Sequence, residues 1–150
     1  VVWAAGAAVM DGDVPATFTV TAGQITLPDA VTGTVITGLA YDWQWQSAKL
    51  AYGVQDGAPL SRRKTLRNVA PILYKTHMRG IKAGQTFEAM DYLPLSHKGE
   101  TLNANTVLET YDSQSYCVPG DWDTDTRLCL AGQAPLPCTV LSLSLTLEAG

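Results

Sequence analysis

Charged residues are scarce in this sequence. They make up 16% of its 150 residues, whereas about 25% is usual for a soluble domain, and the apolar share of 46% is ordinary. So little charge suits a subunit that is covered by its neighbours, although it also suits an extracellular β-domain. The length allows a single β-rich domain over residues 1–150 with one hydrophobic core.

Long apolar runs are absent as well. No stretch of about 18 apolar residues is present, so the sequence predicts no membrane span. No basic segment is followed by an apolar stretch and a small-residue cleavage site, so it predicts no secretory signal. The chain opens at Val1 with the apolar run Val-Val-Trp, which resembles a strand already under way. We therefore expect it to begin within a longer protein.

Cysteine is rare, and its spacing is uninformative for bridges or metal sites. Cys117, Cys129 and Cys138 are odd in number, and their spacing matches neither a paired disulfide framework nor a zinc pattern. We expect reduced thiols. Cys129 and Cys138 lie in apolar stretches, where a free thiol behaves as a small hydrophobic side chain.

Histidine is equally rare and suggests no catalytic site. His77 and His97 are the only two, and the sequence contains neither Gly-x-Ser-x-Gly nor His-Glu-x-x-His. We expect both to be surface or turn residues. With no acid/base pair indicated either, the sequence predicts no catalytic residues, no cofactor and no enzyme.

Three aspartates have the alternate spacing that begins a calcium loop. Asp121, Asp123 and Asp125 would supply its first carboxylates. The sixth loop position is Thr126 instead of glycine, and the twelfth is Gly132 instead of glutamate. An acidic turn between strands is therefore the better prediction than a metal site.

Short alternating segments separated by Gly and Pro predict an all-β fold, an antiparallel β-sandwich or barrel-like domain. The clearest strand is Thr139–Leu147, in which four leucines at alternate positions would share one face. They are Leu141, Leu143, Leu145 and Leu147.

Further strands are predicted in the first third of the chain. Ala16–Thr21 and Gln24–Leu27 alternate and are separated by an Ala22-Gly23 break. Val31–Leu39 is rich in β-branched residues, with turns or bulges expected at its glycines.

The segment Thr65–Thr76 is ambiguous. The spacing of its apolar residues approaches that of a helix, but Pro71 argues against a helix interior and against a central strand. We predict an edge strand.

An aromatic row invites two interpretations. Tyr41, Trp43 and Trp45 alternate with polar residues in Tyr41–Lys49, so on a strand the three rings share a face. Packing in a core or subunit interface is one interpretation. The alternative is a platform that stacks on sugar rings.

Charge is divided unevenly along the chain. The segment Lys49–Lys98 carries a net charge of +6, including Asp56, and the remainder carries −10. Opposite patches on identical subunits can pair head to tail, and two solvated faces are the alternative.

The densest basic stretch lies in that segment. Arg62, Arg63, Lys64 and Arg67 could contact phosphate, but aromatic interleaving and a net-basic footprint are missing. We predict a subunit interface there, together with Tyr41, Trp43 and Trp45.

Several segments, in order, resemble the C-terminal part of the phage tail tubular protein B, or nozzle, family. Val2–Gly6 is similar to that family's strand-plus-glycine element, in which an Asp commonly precedes the Gly. Gly23–Pro28 is similar to its Gly-x-Ile-x-Leu turn and strand. Thr37–Tyr41 resembles its Gly-Leu-Pro-Tyr, with Ala40 in place of Pro.

The likeness continues through the second half of the chain. Ser61–Leu66 with Val69–Thr76 resembles the family's basic stretch and following strand. Ala134–Leu141 resembles its Pro-Leu-Pro-Leu-Thr-Val-Leu, with Cys138 in place of Leu.

The resemblance implies a structural subunit of the virion tail of a short-tailed phage. Such a subunit would belong to a homo-oligomeric, hexameric ring that contacts the tail adaptor protein and tail fibres and lets genomic DNA pass without sequence-specific binding. The chain would be the platform-type, C-terminal part of a longer nozzle. The +6 segment would face an acidic surface of the next subunit or of the adaptor, and acidic segments would line the lumen. A β-sandwich glycan-binding module of a phage fibre or secreted protein is the alternative.

Overall fold

The computed structural model of the chain describes residues 1–4, 6–51 and 60–150. Within these ranges every regular element is a strand and every strand pairing is antiparallel, which confirms the predicted all-β fold. None of the described residues forms a helix suited to crossing a bilayer. Ala5 of the segment Val2–Gly6 and Asp56 of the basic segment lie outside the described residues.

Two four-stranded sheets form the main body. One has a long central strand that pairs with the other three; its strands are β7 (Lys64–His77), β12 (Val107–Tyr111), β13 (Tyr116–Cys117) and β15 (Val140–Ala149). The other has the order β6 (Tyr41–Gln46), β14 (Cys129–Ala134), β8 (Lys82–Gly84) and β9 (Asp91–Tyr92).

Smaller sheets accompany this body. A three-stranded sheet near the start of the chain consists of β1 (Val2–Ala4), β2 (Ala7–Ala8) and β5 (Val35–Thr37). Two short hairpins pair β3 (Met10–Asp11) with β4 (Val14–Pro15) and β10 (Ser96–His97) with β11 (Glu100–Thr101).

One apolar core lies between the two four-stranded sheets, as in a sandwich. Leu66, Val69 and Leu73 enter it from β7, and Leu130 enters it from β14. The three side chains of β7 have at most 1% of their surface exposed. Because burying a leucine fully contributes about 1.5–3 kcal/mol, this core is the main source of stability in the fold.

β7 is the central strand of its sheet, not an edge strand. β15 pairs along one edge. Along the other edge β12 ends opposite Leu73 and β13 begins opposite Val69, which leaves a gap between them. Arg67, whose carbonyl accepts a hydrogen bond from Val118 N–H (3.3 Å), faces this second edge, and so by alternation does Pro71. Pro71 thus lies opposite the gap between β12 and β13. No strand on that side needs an N–H donor from this position.

The strand predicted at Thr139–Leu147 is confirmed as β15, with one correction to its faces. The register shifts between Val140 and Ser142, so Leu141 is the extra residue of a β-bulge. Leu141 is 63% exposed, whereas Val140 and Leu143 pack against the core. The bulge therefore removes one leucine from the predicted inner face and replaces it with valine.

The strands predicted at Ala16–Thr21 and Gln24–Leu27 do not form. The segment contains a single bridge, between Thr21 and Gln24, and its intervening break is confirmed as a tight turn. The strand predicted at Val31–Leu39 is limited to β5.

Candidate functional site

The aromatic row of β6 is confirmed. β6 pairs with β14 from Tyr41 opposite Ala134 to Gln46 opposite Cys129. Regular pleating turns Tyr41, Trp43 and Trp45 to one side of this ladder, and Asp42 to the other, where it accepts a hydrogen bond from Gln133 Nε2 (3.0 Å).

An open groove runs beside the row and has a volume of about 740 Å³. Tyr41, Trp43 and Trp45 form one wall, and the segment Pro135–Cys138 together with Val140 and Leu143 of β15 forms much of the other. The chain leaves β14 at Ala134, opposite Tyr41, and this register brings the second wall alongside the first. None of the lining side chains is charged.

The three rings differ in exposure. Tyr41 is 66% exposed and Trp45 is 47% exposed, whereas Trp43 is half-buried and packs against the core. The row is therefore anchored at its centre and uncovered at its two ends. Two exposed aromatic side chains on an uncharged surface form the kind of patch that proteins use to bind a partner or ligand.

Gly132 fixes the position of the central ring. It lies opposite Trp43 in the ladder, and a Cβ at this position would come within 2.7 Å of the Trp43 ring and would also overlap the carbonyl oxygen of Gly80. Only glycine lets the indole lie this close to β14. Any larger residue would force the Trp43 ring or the backbone at Gly80 to move.

The basic stretch divides into buried and exposed side chains. Lys64 is fully buried, and its Nζ donates to the carbonyls of Arg62 (3.3 Å) and Thr124 (3.1 Å). Its side chain is therefore inside the fold, which corrects its inclusion in a surface interface. Arg62 and Arg63 are exposed beside Trp122, and Arg63 donates to the Trp122 carbonyl (2.9 Å).

Ion pairs connect the two charge segments of the sequence. Arg67 pairs with Glu148 at 3.0 Å, Arg79 with Asp13 at 2.6 Å and Lys98 with Asp112 at 3.9 Å. Each pair joins a base of the segment Lys49–Lys98 to an acid outside it. Folding thus partly interleaves the charges that are separated along the chain.

His77 is fully buried at the end of β7, which corrects the prediction of a surface or turn residue. Its Nδ1 accepts a hydrogen bond from the Arg79 N–H (3.1 Å), so the ring proton lies on Nε2, which contacts Asn105 Oδ1 at 2.8 Å. Burial, together with the Arg79 charge, lowers the pKa of His77. These contacts give His77 a structural role. His97 stacks on Tyr111 with ring centroids 5.1 Å apart.

Two of the three aspartates of the acidic turn, Asp123 and Asp125, have local side-chain partners. Asp123 Oδ1 accepts a hydrogen bond from the Asp125 N–H (3.2 Å), and this bond is the largest cause of a lowered pKa at Asp123. Asp125 pairs with Arg127 at 3.0 Å. Within the described ranges, no three His, Cys, Asp or Glu side chains are grouped as metal ligands would be.

The cysteines are free and differ in burial. Cys117 is exposed and Cys129 is buried. Cys138 is half-buried in the groove wall, where burial raises the pKa of its thiol to about 11.

The sequence matches no protein family and no curated protein. The resemblance to the tail nozzle family, drawn from the short segments quoted above, therefore stays a prediction.

Proposed function

We propose that the chain is a non-catalytic structural subunit of the tail tube, or nozzle, of a short-tailed bacteriophage, and that its groove contacts a neighbouring subunit. The observation that carries this proposal is the exposure of Tyr41 and Trp45 on an open groove without charged side chains. Burying aromatic rings against protein is strongly favourable, and large exposed apolar surfaces mark contact sites.

Other features support an assembled state. Ile36 is 61% exposed and Leu39 is 93% exposed, and charged residues are few. The order of the nozzle-like segments supports the assembly that we propose, a hexameric ring in the virion tail, next to the adaptor protein and tail fibres. Genomic DNA would pass through this ring without sequence-specific recognition. The chain would form the platform-type, C-terminal part of that subunit.

The test is the molar mass of the chain in solution, measured by light scattering over a range of concentrations. We expect the wild type to associate and Tyr41→Asp to be largely monomeric, because a carboxylate in the groove would have to be desolvated on contact. Leu141→Asp is the matched control, since Leu141 is also exposed but lies outside the groove. A wild type that is monomeric at every concentration would contradict the proposal.

A glycan-binding module is the second candidate function, and the same exposed rings favour it. Sugars stack on flat aromatic faces, so a saccharide titration would change the fluorescence of Trp45. We expect no such change if the groove binds protein. Saturable sugar binding by a monomeric chain, lost in Trp45→Ala, would establish the glycan function instead.

The exposed arginines allow a separate test of the proposed electrostatic contact. Arg62→Glu combined with Arg63→Glu should weaken association at low salt, with a smaller effect at high salt because the interaction is screened. Lys64 is kept, since its side chain is buried. Normal association of the double variant at low salt would remove these arginines from the interface.

A further inference from the structure

The segment Ala16–Pro28, here called the arm, is folded at its tip. Thr21 and Gln24 exchange two backbone hydrogen bonds, each 3.0 Å long. Between them Ala22 and Gly23 both have positive φ, +51° and +78°, as the two-residue turns of β-hairpins require. The tip of the arm is therefore a hairpin turn, although the arm contains no strand.

The register of this turn gives the arm two different faces. If the pairing continues outward from Thr21 and Gln24, Val20 lies opposite Ile25 and Phe18 lies opposite Leu27, on a common face. The other face holds threonines, including Thr19. Val20 is 61% exposed. Phe18, Ile25 and Leu27 are only partly buried, so the apolar residues that would form this face are not fully covered by their own chain.

The groove has the complementary properties. Within the described ranges β6 pairs only with β14, so its other edge offers backbone donors and acceptors beside the aromatic row. The arm contains no charged residue, and neither does the groove lining. An uncharged apolar hairpin can enter an uncharged aromatic groove without desolvating a charge. None of the groove-lining residues comes from the arm of the same chain.

We propose that the arm of one copy docks, by its apolar face, in the aromatic groove of a second copy. The inference rests on the proposed function and names the segment that fills the groove. Because arm and groove are different surfaces, the contact is heterologous, and repetition of it generates a ring or an open chain. Docking covers Val20 and the exposed ends of the aromatic row, and it lets the arm complete its strands against the edge of β6.

Two arm variants with the same new charge test the proposal. Val20→Asp places a carboxylate on the apolar face, and Thr19→Asp places one on the polar face of the same arm. We expect Val20→Asp to weaken self-association at least about tenfold, the equivalent of about 1.4 kcal/mol, while Thr19→Asp stays within about threefold of wild type. Equal thermal unfolding of the two variants shows that the fold is intact.

Mixing two defective chains tests the geometry of the contact. Val20→Asp retains its groove and Tyr41→Asp retains its arm, so an equimolar mixture has one competent contact. We expect a 1:1 complex from the mixture and none from either variant alone. A contact between two grooves would instead be lost in every combination that includes Tyr41→Asp.

The outcomes separate this inference from the proposed function. If the wild type associates, Tyr41→Asp does not, and Val20→Asp associates normally, the groove is a subunit contact but the arm does not fill it. If the mixture fails to form the 1:1 complex, the proposed docking of the arm is likewise wrong, while the groove can still be a subunit contact. A monomeric wild type overturns both.

Discussion

The arm and β15 have the same alternating sequence pattern, yet only one of them is a strand. β15 extends over ten residues and pairs with β7, whereas the arm has one bridge at its tip. Alternation defines which side chains share a face. It does not supply the neighbouring backbone that a strand needs to satisfy its N–H and C=O groups.

The difference lies in the available partner. β7 is fourteen residues long and borders the core, so pairing with it also partly buries Leu143, Leu145 and Leu147 of β15. The two halves of the arm meet at the Thr21–Gln24 bridge, and only at its base does Ala16 N–H donate to the Val9 carbonyl (2.8 Å). An isolated two-stranded hairpin is marginally stable in water. The arm therefore has the alternating sequence of two strands, but its own chain provides no partner strand long enough for them to form.

The largest expected effect separates the stability of the arm from that of β7, the core strand with which β15 pairs. Leu73→Ala should lower the free energy of unfolding by about 2–5 kcal/mol, because it leaves a cavity in the buried core. Val20→Ala in the arm should change it by less than about 0.5 kcal/mol in dilute, monomeric chains. Urea denaturation followed by circular dichroism measures both. Equal losses would mean that the arm belongs to the cooperative unit.

Lys64→Met tests a buried polar contact at the start of β7. The carbonyls of Arg62 and Thr124 lose the Nζ donor, so we expect a loss of about 1–3 kcal/mol in unfolding free energy. Arg62→Met is the exposed control and should be nearly neutral. A neutral Lys64→Met would show that these carbonyls find water instead.

His77, at the other end of β7, should make the free energy of unfolding depend on pH. Its pKa in the fold is lowered by burial, below the ordinary value of about 6.5 in the unfolded chain. The unfolded chain therefore binds more protons between these two values, and stability should fall as the pH falls below about 6.5, levelling off below the folded pKa. His77→Gln should reduce this slope in urea titrations at several pH values. If the dependence of unfolding free energy on pH were unchanged in this variant, other titrating groups would be its cause.

The smallest effect is expected at the tip of the arm. Ala22 has a φ of +51°, which asparagine adopts more readily, so Ala22→Asn should stabilise the turn by less than about 1 kcal/mol without altering global unfolding. Hydrogen exchange of the Thr21 and Gln24 amides should slow. Gly23→Ala should accelerate it, because an alanine at φ +78° is strained. Unchanged exchange in both variants would mean that the turn does not control the bridge.

Local pattern predicted β6 and β15, which have long-range partners, but it gave no prediction for β12 or β14, which have such partners too. β6 and β15 were predicted correctly because their alternation coincides with the ladders they join. Pro71 misled the prediction for β7, since only the positions of β12 and β13 reveal that its backbone faces a gap between them. The bulge at Leu141 was equally invisible, because an extra residue in one strand is defined by its partner.

Only one wall of the groove could be predicted from the sequence. The common face of Tyr41, Trp43 and Trp45 follows from spacing, but the wall opposite them depends on a register between residues 83 to 93 positions apart. Lys64 shows the reverse problem. Its charge and its basic neighbours indicate a surface residue, and only the packed structure reveals that carbonyl groups solvate it inside the fold.

The three free thiols differ in burial, so their rates of chemical labelling can report whether the groove is occupied. Alkylation requires the thiolate, which is scarce at Cys138 because of its raised pKa, and Cys117 is the exposed thiol. We expect Cys117 to be labelled first, Cys138 slowly while the groove is empty, and buried Cys129 only on unfolding. Because Cys138 lines the groove, the ratio of label at Cys138 to label at Cys117 should fall as the groove is covered on assembly. Mass spectrometry measures this ratio in the wild-type chain without any substitution.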